Sequence, residues 1–294
     1  MNIGFKSVHP IGALAFFVFA FAFCLISSNP FSLGLCVLCG AIYDLTLQKK
    51  KTVSYILKFL LPMTVLVTVF NGVFSHYGVT VLFVMHNGNN FTLEALVYGF
   101  VTGARLSGML LWLDCFNEVL TSEKIIFLFG RISPRLALVI SMVLRFIPLI
   151  RTQSAEISKA QKGIGASEGK NFFAKAKSAS RRLSILVSWT LEKGVDTSDS
   201  MRARGYGLRG RTSFNRYNFS LSDAVVTGLS AVALAVSIAL YKKLSAEYNP
   251  IIDIPTPDVI SVSALVLFAA VLLMPVIIDL KNRRYTKPRI DKND

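Results

Sequence analysis

The sequence predicts an all-α polytopic membrane protein, with about six transmembrane helices and long amphipathic helices on the cytoplasmic side. Three observations lead there. The 294 residues are 53% hydrophobic and 17% charged, with a mean hydropathy of +0.53, whereas soluble domains carry about a quarter charged residues. Apolar runs of roughly 18 to 23 residues recur, each long enough as a helix to cross a hydrocarbon core of about 30 Å. The formal net charge of +15 is clustered, so it is read by location as a topology and surface signal rather than as a nucleic-acid footprint. An ordinary soluble enzyme is excluded.

The first span runs from Ile11 to Ser28 and the second from Phe31 to Leu47. The Ser28-Asn29-Pro30 turn between them makes the pair a helical hairpin. Ala20-Phe21-Ala22 imitates a signal-peptide cleavage site, but Lys6 is the single cation before it and the apolar run continues past it, so the segment is read as a span. The third span, Tyr55 to Phe74, follows the Lys49-Lys50-Lys51 cluster, and the fourth is Thr92 to Leu113. Between these two, Gly78 to Met85 is β-prone and Asn87-Gly88 is a turn dipeptide, which predicts a small extracytoplasmic hairpin. His76 and His86 flank it without an acidic partner and are read as loop histidines rather than metal ligands.

Leu136 to Ile150 is a further apolar run, but it is short and holds Arg145 and Pro148, so it is assigned to the interface. That choice keeps the basic segment after it on the same face as Lys49 to Lys51, as the positive-inside rule requires. Leu221 to Tyr241 and Val259 to Leu280 complete the six spans, followed by Lys281, Arg283, Arg284, Lys287 and Arg289. The chain thus divides into a four-helix membrane region over 1–113, a coupling-helix region over 114–220, and a C-terminal hairpin with a basic tail over 221–294. Both termini are placed in the cytoplasm, and the location is the inner, cytoplasmic membrane.

From Arg151 to Arg216 there are 14 lysines and arginines against 5 acidic residues. Leu183, Leu186, Val187, Thr190, Leu191, Gly194 and Val195 fall on one helical face within it. Snorkelling, topology and attraction to anionic lipid account for charge of this kind. They do not account for the glycines, seven of which lie between Gly163 and Gly210. Glycine ends helices and admits close backbone approach, and an arginine beside it at a helix end suits a groove on a partner that offers a carboxylate.

No phosphate-binding loop, zinc-protease helix or nucleophile elbow occurs, and no cofactor is called for. Cys36 and Cys39 sit inside an apolar span and are read as packing residues. Arg105, well inside the fourth span, needs hydration or a partner; snorkelling to the cytoplasmic interface and pairing with Asp44 or Glu118 are the two readings.

The run Ser200-Met201-Arg202-Ala203-Arg204-Gly205-Tyr206-Gly207 resembles the second Ala-Arg-Gly signature of the transmembrane T component of energy-coupling factor transporters. Arg145-Phe146-Ile147-Pro148, Glu156 and Ala160-Gln161-Lys162 resemble the approach to that family's first signature. Asn71 to Phe83, Thr92, Glu94 and Arg105 are also similar. The first signature departs from the pattern: Gly163-Ile164-Gly165 stands where Ala-Arg-Gly is the rule, with Lys162 the adjacent cation.

The resemblance implies a non-catalytic scaffold that joins two cassette ATPase subunits to a small membrane protein capturing a vitamin or transition-metal ion. It places ATPase docking at Ala203, Arg204 and Gly205 and at Lys162, Gly163, Ile164 and Gly165. It gives Arg105, Arg145 and Pro148 a structural role or contact with the capture protein. Membrane lipid is a further partner, and nucleic acid is not. The missing arginine implies asymmetric coupling, with the charged contact at Arg204. The rival class is a membrane-embedded enzyme or signalling protein whose basic segment binds lipid.

Overall fold

The structure is a computed structural model that describes residues 4–75, 78–84, 90–164, 172–208, 219–241 and 259–290. It is helical apart from one two-stranded ladder. The chain divides into two compact units, one formed by residues 1–125 with 217–294 and the other by 126–216.

In the first unit, α1 (Pro10–Ile26) and α2 (Pro30–Gln48) form the predicted hairpin. Each begins on a proline, whose fixed φ and missing N–H suit the first helical position. Each is also capped by the preceding side chain, His9 Nδ1 accepting from the Ile11 amide and Asn29 Oδ1 from the Phe31 amide. Lys49, at φ +48°, breaks the path between α2 and the short α3 (Lys50–Tyr55). One π-helical turn, Ile56–Leu60, then leads into α4 (Leu61–Phe74).

Strands β1 (Val81–Val84) and β2 (Asn90–Thr92) pair antiparallel, with Val81 opposite Thr92 and Phe83 opposite Phe91. This is the predicted outer hairpin; His76, His86 and the Asn87-Gly88 turn lie outside the described residues. The hairpin is fastened at its base by Glu94, which accepts from both the amide and the hydroxyl of Thr80. Gly78 has φ +121°, and a Cβ there would fall 2.4 Å from Glu94 Oε2, so the turn over this carboxylate requires glycine.

Helix α5 (Leu93–Val119) starts from the Thr92 cap and is the central element of the unit. Its Gly99 and Gly103 face α4, where added Cβ atoms would lie 2.9 Å from the carbonyls of Thr68 and Thr64. Small residues at this spacing let two membrane helices touch along their backbones. One turn on, Ser107 and Thr64 share a hydroxyl hydrogen bond of 2.7 Å. Toward the other end, Trp112 meets Phe16 at 5.7 Å between ring centroids and donates from Nε1 to the Cys36 carbonyl. Cys24, Cys36, Cys39 and Cys115 are free and buried in this packing.

Helix α6 (Ser122–Ile132) follows α5. After the second unit, α9 (Leu221–Ala239) opens with a capping box between Ser220 and Asp223, and α10 is Val259–Ile290. Phe268 of α10 packs against Phe23 of α1 with ring centroids 4.8 Å apart and the rings tilted by 52°.

Four contacts fix one end of this unit. The Phe5 amide donates to Asp279, the His9 amide to Asp223 at 3.0 Å, Lys6 pairs with Glu118, and Gln48 Nε2 donates to Asp114 at 3.1 Å. The start of α1, the ends of α2 and α5, the start of α9 and residue 279 of α10 therefore share a level. The chain consequently leaves the unit after α5 and re-enters it at Ser220 on the same side.

The second unit contains α7 (Pro134–Gly163) and α8 (Phe172–Ala203). Here the structure corrects the expected length of the apolar run. Leu136 to Ile150 is the first half of one continuous 30-residue helix, because Pro148 is accommodated inside it rather than ending it. By length and composition alone, Arg135–Gly163 is one of six helices among the described residues able to cross a membrane, together with Pro30–Gln48, Lys51–Phe74, Leu93–Val119, Leu221–Ala239 and Ser261–Lys281. Pro10–Ile26, with 17 residues, falls just short of that length.

Candidate functional site

The sequence-predicted docking residues lie at the C-terminal ends of α7 and α8. At the end of α8 the backbone forms a Schellman motif. The Gly205 amide donates to the Arg202 carbonyl at 2.9 Å and the Tyr206 amide to the Met201 carbonyl at 3.0 Å. Gly205 occupies the left-handed position at φ +76°, and Gly207 follows at φ +100°. The Ala-Arg-Gly triplet thus has a structural meaning: Ala203 is the last helical residue, Arg204 the cap and Gly205 the residue that reverses the chain.

A side chain at Gly205 would be strained by φ and would also come within 3.0 Å of Leu208. Because the motif supplies amides to the last carbonyls, the Arg204 side chain is not needed to satisfy its own helix, and it stands exposed. Leu208, 74% exposed, and Tyr206, 43% exposed, stand beside it. An exposed guanidinium beside apolar side chains on a rigid turn suits a carboxylate at the mouth of an apolar groove.

The end of α7 is built differently. Lys162, Gly163 and Ile164 are exposed, and the Ile164 amide donates to the Ala160 carbonyl at 3.2 Å without a left-handed residue. Ile164 is 80% exposed. Gly165 lies outside the described residues. The two helices meet where Arg182 Nη1 donates to Ser158 Oγ at 3.5 Å. From that point the α7 end is about 8 Å away and the α8 end about 30 Å away along the helix axes. The structure therefore keeps the two predicted docking ends apart on one helical pair.

Both helices carry apolar faces that nothing in the unit covers. On α7, Leu136, Val139, Val143 and Ile147 are exposed, and the apolar window of that helix has no buried residue. On α8, Leu183, Val187, Leu191 and Val195 form an exposed stripe at four-residue spacing. Arg145 and Pro148 lie on exposed positions of α7. Pro148 has no amide to give the Leu144 carbonyl, and Thr152 Oγ1 turns back to the Leu149 carbonyl at 2.8 Å.

Arg105 does not pair with either carboxylate named for it. Its Nη2 donates to Ser28 Oγ at 2.6 Å, and its carbonyl accepts from Cys24 Sγ at 3.4 Å. It therefore lies level with the α1–α2 turn, at the end opposite Glu118, which pairs with Lys6. Asp44 is fully buried, and its carbonyl accepts from Thr52. Sequence reading missed Ser28 because it stands 77 positions away. It also passed over the Gly99 and Gly103 contact, although a glycine pair four apart in a membrane span is a legible signal.

Among the described residues, no three His, Cys, Asp or Glu side chains converge to hold a metal ion. What the geometry offers is a paired-helix platform with two differently finished ends. The cobalt transport protein family model matches residues 6–214, from the N-terminal helices through the capped end of α8. The chain belongs to that family.

Two of three similar proteins carry energy-coupling factor transporter names. An energy-coupling factor transporter transmembrane protein of Brevibacillus brevis is 29% identical over 217 residues, covering 68% of this chain and 80% of the relative. One of Lactobacillus helveticus is 37% identical over 93 residues, 31% of this chain and 33% of the relative. An uncharacterized protein of Mycoplasma pneumoniae is 29% identical over 125 residues, 42% of this chain and 28% of the relative. The matched segments thus span about a third or less of the last two proteins. As a T component of the energy-coupling factor type, the chain is a multi-pass transporter membrane subunit.

Proposed function

We propose that this chain is the non-catalytic coupling scaffold of an importer, standing between two cassette ATPases and a small membrane protein that captures a vitamin or transition-metal ion. The observation that carries the reading is the Schellman-capped end of α8, which presents Arg204 on a rigid turn within a family-matched segment. Ala203, Arg204 and Gly205 dock one ATPase, and Lys162, Gly163, Ile164 and Gly165 dock the other. ATPase closure moves the two ends of the platform, and α7 and α8 pass the motion on as rigid bodies. The uncovered apolar faces of both helices, with Arg145, Pro148 and Arg105, serve lipid or the capture protein.

Coupling is asymmetric in this scheme. Arg204 makes the charged contact, while the Gly163 end, lacking the arginine, docks by packing of Ile164. The platform and both termini face the cytoplasm, in keeping with the clustered basic charge. Placing α7 at the interface keeps the basic segment Arg151 to Arg216 on the same face as Lys49, Lys50 and Lys51, as the positive-inside rule favours.

Co-expression with cassette ATPases, extraction in mild detergent and affinity purification test this. Wild type should carry both ATPases, and Arg204→Glu should lose at least tenfold of the bound ATPase while eluting as a folded membrane protein. Ile164→Ala should cost threefold or less. Equal losses would overturn asymmetric coupling, and absence of ATPase from well-expressed wild type would overturn the scaffold reading.

A further inference from the structure

We infer that the first unit carries a phospholipid headgroup site on the face of α3 and the π-helical turn, selective for a singly anionic phosphodiester. It rests on membrane insertion and is independent of the coupling reading. An open groove of about 430 Å³ is lined by Gln48, Lys51, Ser54, Tyr55, Lys58, Phe59 and Asp114. Its lining charges are two ammoniums and one carboxylate, a net of one positive charge. A phosphodiester accepts from just such donors, and a headgroup without a cation of its own, such as that of phosphatidylglycerol, matches the net charge where zwitterionic headgroups do not.

The placement fits a lipid rather than a free anion. Lys51 opens the apolar span Lys51–Phe74, at the level where headgroups lie, and Lys58 lies about 10 Å further along it. A lysine at that depth is costly unless it snorkels or finds an anion. Helical side chains lean toward the N-terminus, so Lys58 reaches back toward Lys51. The two stand seven apart, with Ser54 and Tyr55 between them on the same helical face. Tyr55 stacks on Phe59 at 5.5 Å, giving the site an aromatic wall. Below it, Leu57 and Leu61 are more than half exposed and lead into the hydrocarbon, where acyl chains would lie. The π-helical turn Ile56–Leu60 lies in the site itself, and such turns recur at functional positions.

Native mass spectrometry of the full chain, extracted from vesicles of equal parts phosphatidylglycerol, phosphatidylethanolamine and phosphatidylcholine, tests the site. Wild type should retain phosphatidylglycerol at least fivefold over the other two. The double variant Lys51→Gln/Lys58→Gln should lose that preference, and Lys58→Arg should keep it. Lys175→Gln/Lys177→Gln, with the same charge change on α8, should leave it intact. Should the first double variant fail to fold, Ser54→Glu on the exposed rim decides, since its carboxylate repels phosphate and should abolish the preference.

Equal loss in the α8 variant would reduce the effect to diffuse charge and overturn the site. Equal retention of phosphatidylethanolamine would overturn the anionic selectivity. Unchanged lipid retention in Lys51→Gln/Lys58→Gln or Ser54→Glu, with a partner membrane protein lost instead, would assign the face to protein docking and overturn the lipid reading.

Discussion

Lys124 shows how a single side chain can carry a pH dependence. It is 3% exposed, beside Asp223 and Lys6, just beyond the end of α5. Burial pushes its ammonium down to about 8 against the pull of Asp223, with Lys6 adding to the fall. Between pH 8 and 10.5 the unfolded chain binds more protons than the native one, so stability rises with pH across that window. Below pH 8 both states are protonated and the cost of the buried charge is fully present. Lys124→Met should therefore melt about 2–5 °C higher than wild type at pH 7, with the gap closing by pH 10.5, followed by thermal denaturation in detergent. A constant gap across that range would show that Lys124 is not the titrating group. Nothing in the sequence marks this residue, since the charges that act on it, Asp223 and Lys6, stand about a hundred positions away.

At the scale of elements, two glycines make opposite predictions. Gly103 lets α4 and α5 touch, and a Cβ there would sit 2.9 Å from the Thr64 carbonyl. Gly194 lies in the middle of α8 with open space around it. Gly103→Val should separate the helices and abolish a monodisperse elution profile, while Gly194→Ala should stabilise α8 by about 0.5–1 kcal/mol, measured as slower amide exchange along that helix. A stable Gly103→Val protein would mean that the α4–α5 contact is not what holds the first unit. Five of the six expected spans were legible from apolar run length, the amphipathic α8 from periodicity, and the two-stranded hairpin from its β-prone run and turn dipeptide. The continuity of α7 was not, because Pro148 and Arg145 look like a stop in sequence, while a helix with enough turns on both sides tolerates them.

For the whole molecule, the four contacts at one end of the first unit determine a sidedness that can be measured. With all four native cysteines buried, single cysteines at Val79, Lys177 and Lys281 report cleanly. In intact cells a membrane-impermeant maleimide should label the Val79 site and reach the other two only after permeabilisation. Labelling at 177 from outside would place α7 across the bilayer and overturn the common cytoplasmic side. The candidate site itself was half legible: Ala203-Arg204-Gly205 reads directly as a helix stop. Ser28 beneath Arg105 required the folded α1–α2 turn, because hydrogen bonds between distant positions leave no local pattern.

Pro148 also gives α7 an uneven stiffness. Every other turn of that helix resists bending through its ladder of amide bonds, but the Leu144 carbonyl receives none from residue 148. Any bending of α7 under a load at Gly163 should therefore concentrate near Leu144, while the stretches before and after it move as rigid rods. One residue that cannot donate a hydrogen bond sets where that helix would yield first.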